Sequence, residues 1–443
     1  MPSGNDKQRD LLRVDGIVWI LLLACVLRIA AVILRFENLQ VDRDAYLAIA
    51  QNLLDGNGFC STINQPTAFR PPLYPLFVAV CKGGGGFALL GIGQVILGTA
   101  TVWLTWVLAI RCGFSRIAGL IAALLVAVDP LLIEYTTQAM TETLSTLLLT
   151  ALLVATLRDG SELTKSATVG ALFGLASLCR PSIWAFGALA GLCWAIKNFR
   201  RVSPQAPTDS GSNVERLKIA AICLAAVTLT VSPWVIRNTL QFGRPILMTT
   251  HGGYTLLLAN NETFYDEVVA SEKGATWTAN SLQNWQETNK QRLEGIGIAA
   301  ADEVAQDAAL SQMAKEWIAE NPLKFAQSCV FRCKRFWACR PSGTAGIPTW
   351  LVQMIGACYL AIFILAIIGT VRCGGKLAAL WPLPALVLAM TLVHTVYWSN
   401  ARMRAGIVPV IALSAAAVFN SPSRRESVNA TNFQGELVCL LFW

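Results

Sequence analysis

Ten nearly charge-free stretches, at about 16–35, 86–110, 117–135, 142–157, 166–180, 182–199, 217–237, 350–371, 377–398 and 403–420, constrain this chain more than any other feature. A helix that crosses a bilayer needs roughly 20 mostly apolar residues. Its backbone groups must also satisfy one another where no water reaches. Runs of this kind in succession predict an all-α polytopic membrane domain of about ten transmembrane helices. Composition agrees: 54% of the 443 residues are hydrophobic and 14% charged, more apolar surface than a water-soluble core would bury.

The net charge of +8 does not point to nucleic acid, because the basic residues sit in short clusters between the apolar runs. Such clusters encode orientation. If the N-terminus is cytoplasmic, alternate connections are the basic ones: Lys7, Arg9 and Arg13, then Arg111 and Arg116, Arg158 and Lys165, Arg200 and Arg201, Arg372 and Lys376, Arg424 and Arg425. The first run lacks a small-residue cleavage site after it and reads as an anchor. This divides the chain into a cytoplasmic N-terminus (1–15), an N-terminal membrane domain (16–238) whose first outer loop (36–85) carries the catalytic stretch, an extracytoplasmic segment (239–349), C-terminal membrane helices (350–420) and a cytoplasmic tail (421–443). Residues 239–349 mix polar turns with a helical pattern around 300–337, which suggests a small α-rich cap.

Several chemistries are disfavoured. The 13 cysteines are odd in number and lie mostly within apolar runs, so no disulfide framework follows. Cys329, Cys333 and Cys339 lack zinc-site spacing, and His251 and His394 are the only histidines. No phosphate loop or dinucleotide fingerprint is present, and "KGGGGF" at 82–87 lacks both the Lys-Ser/Thr ending and a preceding strand.

Sidedness sorts the remaining polar residues. Asp42, Asp44, Arg70, Glu142, Arg180, Arg237, His251, Arg402 and Arg404 all fall at outer helix ends or in outer loops, where they can share one compartment. In "VDRDAYLAIAQNLLDGNGF" (41–59), Leu47, Ala50, Leu53 and Leu54 recur at helical spacing, predicting a surface-lying helix from Ala45 to Leu54 stopped by Gly56 and Gly58. Asp42 and Asp44 precede its first turn, where an acid can cap a helix. One acid suffices for that, and Asp44 is the more natural cap. In "FRPPLYPLFVAV" (69–80), Pro71, Pro72 and Pro75 predict a stiff bend with no ordinary helix until after Tyr74. Glu142 opens an apolar helix, and an acid beside hydrocarbon is costly unless it faces a cavity or partner. Guanidinium groups at several helix ends, beside acids, point to an anionic ligand, because arginine binds phosphate bidentately and stays charged. Each alone could also snorkel to the interface. Arg28 and Asp129 lie inside helices and read as a structural pair.

Acids, phosphate-binding arginines and a place at the lipid boundary fit a donor that is itself a lipid phosphate. The order D-x-D-x-Y-x-x-x-A-x-x-L-x-x-G-x-G-F from Asp42 to Phe59, then "RPPLYP", "TETL", "LCRP", "PWVIRN", "FGRP", "GGYTLLLANN" and "ARMRAGIVP", resembles integral-membrane glycosyltransferases of the GT-C class. The branch is that of protein O-mannosyltransferases, lipid A aminoarabinose transferase and lipopolysaccharide-core transferases of the RgtA/B/C/D-like type. The resemblance covers about 16–420. It implies transfer of a hexosyl or pentosyl unit from a polyprenyl-phosphate sugar to a hydroxyl of a lipid, glycan or protein acceptor, usually with inversion, at the outer face of the cytoplasmic membrane. It further implies Asp42 as general base and Glu142 as its catalytic partner, with Arg180, Arg237, Arg402 and Arg404 on the donor phosphate. Asp44, Tyr46, Arg70, Tyr74, Asn238 and His251 would position substrate. A divalent metal on Asp42, Asp44 and Glu142 stays open, because Arg43 stands where many relatives carry a second acid. Met403 likewise replaces a tyrosine between the two last arginines. The competing reading is a transporter or non-catalytic lipid-sugar binding protein, although transporters tend to place polar groups near the midplane.

Overall fold

The computed structural model describes residues 4–200, 210–271, 277–341, 347–373 and 380–420, and these are almost entirely helical. Among the described residues, five helical stretches are long and apolar enough to cross a membrane: Gly16–Leu34, Leu73–Arg111, Val214–Phe242, Thr349–Cys373 and Ala401–Phe419. Arg116–Ala127 and Pro130–Thr136, bent by 50°, form a sixth if taken as one span. Shorter apolar helices run over Glu142–Thr156, Ile183–Cys193 and Pro382–Val396. The protein is thus a polytopic helical membrane protein. Each of the ten apolar runs falls largely on helix, and five or six have the length for a full crossing.

In chain order the helices are α1 (Gly4–Leu34), α2 (Tyr46–Leu54), α3 (Leu73–Arg111), α4 (Arg116–Ala127), α5 (Pro130–Thr136), α6 (Glu142–Thr156), α7 (Glu162–Cys179), α8 (Ile183–Arg200) and α9 (Ser210–Phe242). Then follow α10 (Gly252–Ala259), the short α11 (Glu262–Phe264), α12 (Ala279–Gly295), α13 (Glu303–Glu320), α14 (Pro322–Phe336) and α15 (Thr349–Cys373). The described residues close with Pro382–Val396 and Val408–Ala416, the latter preceded by a 3-10 turn over Ala401–Ile407. Burial identifies the centre of the bundle: 72% of the Ala401–Phe419 span is buried, against 11% of Val214–Phe242 and of Thr349–Cys373. The last span packs on α6, where Leu149, Leu152 and Ile407 belong to one core. Exposed Trp19, Leu34, Leu229 and Val371 face outward, as lipid-facing side chains must.

Three sequence features shape the bundle locally. First, α3 starts at Leu73 with Pro72 as its cap, so Tyr74 lies within the helix rather than before it. The expected delay does not occur because the first-turn N–H groups of a helix have no partner to lose, which makes proline acceptable there. Second, α3 breaks at Gly85 and Gly86, the latter at φ 66°, a conformation open to glycine at no steric cost. The glycine run at 82–87 is therefore a hinge between a short first segment and the crossing helix. Third, α7 and α9 approach closely: a Cβ on Gly170 would lie 2.3 Å from the Cys223 carbonyl oxygen, and one on Gly174 would lie 2.7 Å from Thr230 Cβ. Small residues one turn apart allow such backbone contact.

The α4–α5 break shows how the fold handles charge inside the bundle. Pro130 has no N–H to offer the Val126 carbonyl, four residues back. Fully buried Arg28 supplies one, donating to Val126 O at 3.2 Å and to Ala127 O at 3.0 Å. Asp129 caps α5 by accepting from Leu132 N at 3.0 Å and also accepts from the Tyr359 hydroxyl. Arg28 and Asp129 are both structural, each satisfied mainly through groups other than the other.

The segment between α9 and α15 is tied to the bundle by polar clamps. Arg332 of α14, nearly fully buried, donates to Thr395 O at 2.6 Å, to Ala259 O and to Asn260 Oδ1 at 3.1 Å. Glu303 at the start of α13 accepts from Ala68 N at 2.5 Å and from the Thr67 hydroxyl at 2.8 Å. The backbone adds a bond from Thr250 N to Ala68 O. A two-stranded antiparallel hairpin, β1 (Cys60–Thr62) and β2 (Gln65–Pro66), connects α2 to this junction.

Candidate active site

Five charged side chains from five parts of the chain meet at one place. Glu142, the first residue of α6, is 1% exposed, and its Oε1 accepts from Arg180 Nη1 at 3.0 Å. Arg402 Nε lies 3.1 Å from the same oxygen but is not directed at it well enough to bond. Asp44 faces the cluster from before α2. Its Oδ1 accepts from Arg70 Nη2 at 3.0 Å, and its Oδ2 lies 3.7 Å from Arg402 Nη1. Arg402 thus stands between two carboxylates, with Arg180 and Arg70 on their far sides.

Local sequence explains each placement. Pro181 forces the preceding residue out of helical geometry, and Arg180 is extended at φ −144°, which ends α7 and turns the guanidinium toward α6. The N-terminal turn of α6 offers Glu142 the positive end of a helix dipole. Asn400 accepts from Arg402 N at 3.0 Å, fixing the turn that carries Arg402. Arg70 Nε also donates to Asp44 O at 2.8 Å, so the chain before α2 and the proline bend are locked together.

The cluster holds three guanidinium groups against two carboxylates, leaving one positive charge over. It also has open valences. Glu142 Oε2 is buried without a hydrogen-bond partner among the described residues. Arg180 Nη2 donates to Met403 Sδ at 2.9 Å, and Arg402 Nη1 to Met140 Sδ at 3.4 Å. Thioether sulfur is a weak acceptor. An incoming anionic oxygen would make a charge-assisted bond roughly twice as strong as a neutral one. Chemically, the cluster can exchange sulfur for an anion. Met140 carries no signal in the sequence and Met403 stands out only as the residue in place of a tyrosine, because a methionine beside an apolar helix reads as packing.

The structure places the other expected residues as follows. Asp42 is exposed, and its Oδ2 accepts from Ala48 N at 2.8 Å, so it is Asp42 that bonds the first turn of α2 while Asp44 joins the ion cluster. Tyr46 and Tyr74 are buried in edge-to-face contact at 5.1 Å beneath Arg70, whose guanidinium lies 5.4 Å from the Tyr46 ring. Burial pushes the Tyr46 phenol up to about 12 against the opposing pull of Arg70, leaving it a neutral hydroxyl. The Tyr74 hydroxyl accepts from Gln94 Nε2 at 3.0 Å. His251 stands at the N-terminal end of α10 without a side-chain capping bond and packs on Phe69 at 4.2 Å. Burial, with Arg70 adding to it, holds its imidazole well below the ordinary histidine range.

Three residues expected at the site are engaged elsewhere. Arg237 donates to Thr67 O and Phe59 O, both at 2.8 Å, and lies among the rings of Phe59, Trp234 and Phe242. Asn238, fully buried, accepts from Arg237 and donates to Ile246 O. Arg404, 2% exposed, donates to Phe336 O at 3.1 Å and Ala338 O at 2.6 Å, and lies 4.4 Å from the Tyr359 ring. All three fasten backbone. A metal on Asp42, Asp44 and Glu142 does not fit: an arginine stands between Asp44 and Glu142, Asp42 bonds a helix turn, and among the described residues no three His, Cys, Asp or Glu side chains converge.

Residues 70–236 match the family model described as dolichyl-phosphate-mannose-protein mannosyltransferase. That stretch holds Arg70, Tyr74, Glu142 and Arg180. No curated protein sequence matches the chain. Among solved structures, the chain is similar to the oligosaccharyltransferase AglB from Archaeoglobus fulgidus in complex with an inhibitory peptide and a dolichol-phosphate, with 14% identity, a TM-score of 0.48, and 94% of this chain and 51% of that one covered. It is also similar to ArnT from Cupriavidus metallidurans bound to undecaprenyl phosphate, with 12% identity, a TM-score of 0.42, and 94% and 79% covered. The chain spans about half the length of the oligosaccharyltransferase.

Proposed function

We propose that this chain is an integral-membrane glycosyltransferase of the GT-C class, which moves a hexosyl or pentosyl unit from a polyprenyl-phosphate donor to an acceptor hydroxyl with inversion, at the outer face of the cytoplasmic membrane. The observation that carries the reading is the cluster at Glu142. It combines a surplus guanidinium charge, arginine N–H groups resting on thioethers and a buried carboxylate oxygen left open. The family match over residues 70–236 adds support.

The donor phosphate takes the places of the Met140 and Met403 sulfurs on Arg402 and Arg180. As the bond between the anomeric carbon and phosphate oxygen breaks, negative charge grows on the phosphate, and the two guanidiniums stabilise it more than they stabilise the intact donor. The acceptor hydroxyl attacks the opposite face of that carbon and gives up its proton to a base. This role is assigned to Asp42. Both Asp44 oxygens face arginines and Glu142 Oε1 is shared by two. Asp42, by contrast, keeps Oδ1 without a described partner and is open to an acceptor arriving from solvent. Glu142 Oε2 is left to orient a sugar hydroxyl. The products are the glycosylated acceptor, polyprenyl phosphate and a protonated Asp42, which solvent then deprotonates.

The test is transfer of labelled sugar from polyprenyl-phosphate donors by the purified protein, paired with mass spectrometry of envelope glycolipids and glycoproteins with and without the gene. Asp42→Asn should lower turnover by about 10²–10⁴-fold, the usual worth of a general base, with donor affinity kept. Full turnover in that variant rejects Asp42 as the base. Donor binding with no transfer to any acceptor, and no sugar missing from the envelope, would favour a non-catalytic lipid-sugar binding protein.

A further inference from the structure

A cavity of about 220 Å³ lies away from the ion cluster, between α10, α12 and α13. Its floor is Trp285, 8% exposed, with Tyr254 beside it at 6.0 Å between ring centroids. At a liquid share of ~30 Å³ per water it has room for about seven waters, the size of one small ring rather than a lipid chain.

Its polar lining sets three amides beside two charged groups, Lys290 and Glu294. Gln286 Nε2 donates to the Tyr254 hydroxyl at 2.6 Å, Asn289 Nδ2 to Trp285 O at 2.8 Å, and Gln306 Nε2 to Ala299 O and Ala300 O at 3.0 and 2.9 Å. Gln286 and Asn289 each keep one amide N–H, and all three amide oxygens keep acceptor capacity, so the lining offers donors and acceptors together. Such a lining calls for a ligand rich in O–H groups. An aromatic floor suits the same ligand, because the negative face of a ring attracts the weakly positive C–H edge of a sugar.

The cavity is also joined to the ion cluster by a continuous row of ring contacts. Tyr254 stacks on His251 at 5.0 Å, His251 meets Phe69 at 4.2 Å, and the Phe69 ring lies 4.7 Å from the Arg70 guanidinium that pairs with Asp44. Glu303, at the start of α13, holds Thr67 and Ala68 just before Phe69 and Arg70. A ligand in the cavity is thus held in fixed relation to the transfer centre.

We propose that the Tyr254–Trp285 cavity is a carbohydrate subsite that holds one sugar ring of a glycan acceptor whose reacting hydroxyl reaches the Glu142 cluster. This rests on the glycosyltransferase reading and narrows its acceptor from lipid, glycan or protein to a glycan.

The test is saturation-transfer NMR on the full chain in detergent, with methyl glycosides and short oligosaccharides of hexoses and N-acetylhexosamines as probes. Wild type should give saturation at ring protons of at least one probe, with quenching of tryptophan fluorescence. Asn289→Leu, which keeps a helix-compatible side chain and removes an amide oxygen, should weaken that binding at least tenfold. Trp285→Phe, which keeps an aromatic floor, should weaken it less. Polyprenyl-phosphate affinity, measured separately, should stay within twofold in both variants. No saccharide binding at millimolar concentration, affinity unchanged in Asn289→Leu, or displacement of the saccharide from wild type by an unglycosylated peptide would each overturn the subsite. Loss of polyprenyl-phosphate binding in wild type would instead count against the transferase reading, so the two failures are distinguishable.

Discussion

The Glu142 cluster and the Arg28–Asp129–Tyr359–Arg404 region each place two or more buried or half-buried arginines near acids, yet they use them in opposite ways. In the second region the guanidiniums give their N–H groups to backbone carbonyls: Arg28 to Val126 and Ala127, Arg404 to Phe336 and Ala338. Asp129 spends its oxygens on Leu132 N and the Tyr359 hydroxyl. In the Glu142 cluster, Arg180 and Arg402 face carboxylates and thioethers, and one buried carboxylate oxygen has no partner among the described residues. Backbone carbonyls cannot leave and are permanent partners. Thioethers are weak and displaceable, so the arginines resting on them stay available for an anion.

Removing an arginine from each region should separate them. Arg402→Ala leaves Asp44 and Glu142 with less compensation, and breaking a buried pair costs about 3–5 kcal/mol. Denaturation in detergent should show that loss together with abolished transfer. Arg180→Met and Arg402→Met combined with Glu142→Gln should recover most of the stability and none of the activity, because the Asp44–Arg70 pair that remains is neutral. A triple variant as unstable as the single would show that charge balance does not hold the cluster together. Arg404→Met should cost about 1–3 kcal/mol by stranding carbonyls, with donor affinity within twofold of wild type. Arg237→Met should behave alike, since its guanidinium ties the Phe59 and Thr67 carbonyls. If either lowers donor affinity as much as Arg180→Ala, partner type does not distinguish a structural arginine from a functional one.

A smaller effect concerns His251, beside Arg70. Its folded imidazole resists protonation, whereas an unfolded histidine titrates near 6.5. Below that pH the unfolded chain binds a proton that the folded chain does not, so this group removes stability as pH falls from about 7 through 6.5. His251→Phe keeps the ring packing on Phe69 and Tyr254 and should flatten that part of the thermal-stability profile. An unchanged slope would show that the imidazole is not held neutral by its surroundings.

Sequence made much of the cluster legible. Glu142 stood out as an acid opening an apolar helix, and Arg180 as a guanidinium at a helix end, because both signals are local. The roles of Asp42 and Asp44 were not legible in that way. Two acids before a helix can each cap it, and the choice depends on Ala45 taking a left-handed φ of 62°, which turns Asp42 back toward Ala48 and Asp44 toward Arg70. The start of α3 was missed for a related reason, since three prolines in five residues spell a bend unless two fall at a helix start. The Tyr254–Trp285 cavity had no signal at all, because its walls lie on three helices and acquire meaning only when packed.

What the sequence alone determined is the solvent in which the chain folds. Successive apolar runs admit helices and little else, since hydrocarbon cannot satisfy an open backbone. Tertiary structure decided which charges are spent and which are kept in reserve. Arg180, Arg237, Arg402 and Arg404 all sit at or near helix ends and look equivalent in the sequence. Whether a guanidinium meets a fixed carbonyl or a displaceable sulfur is settled by helices that lie far apart in the chain and come together only in the fold.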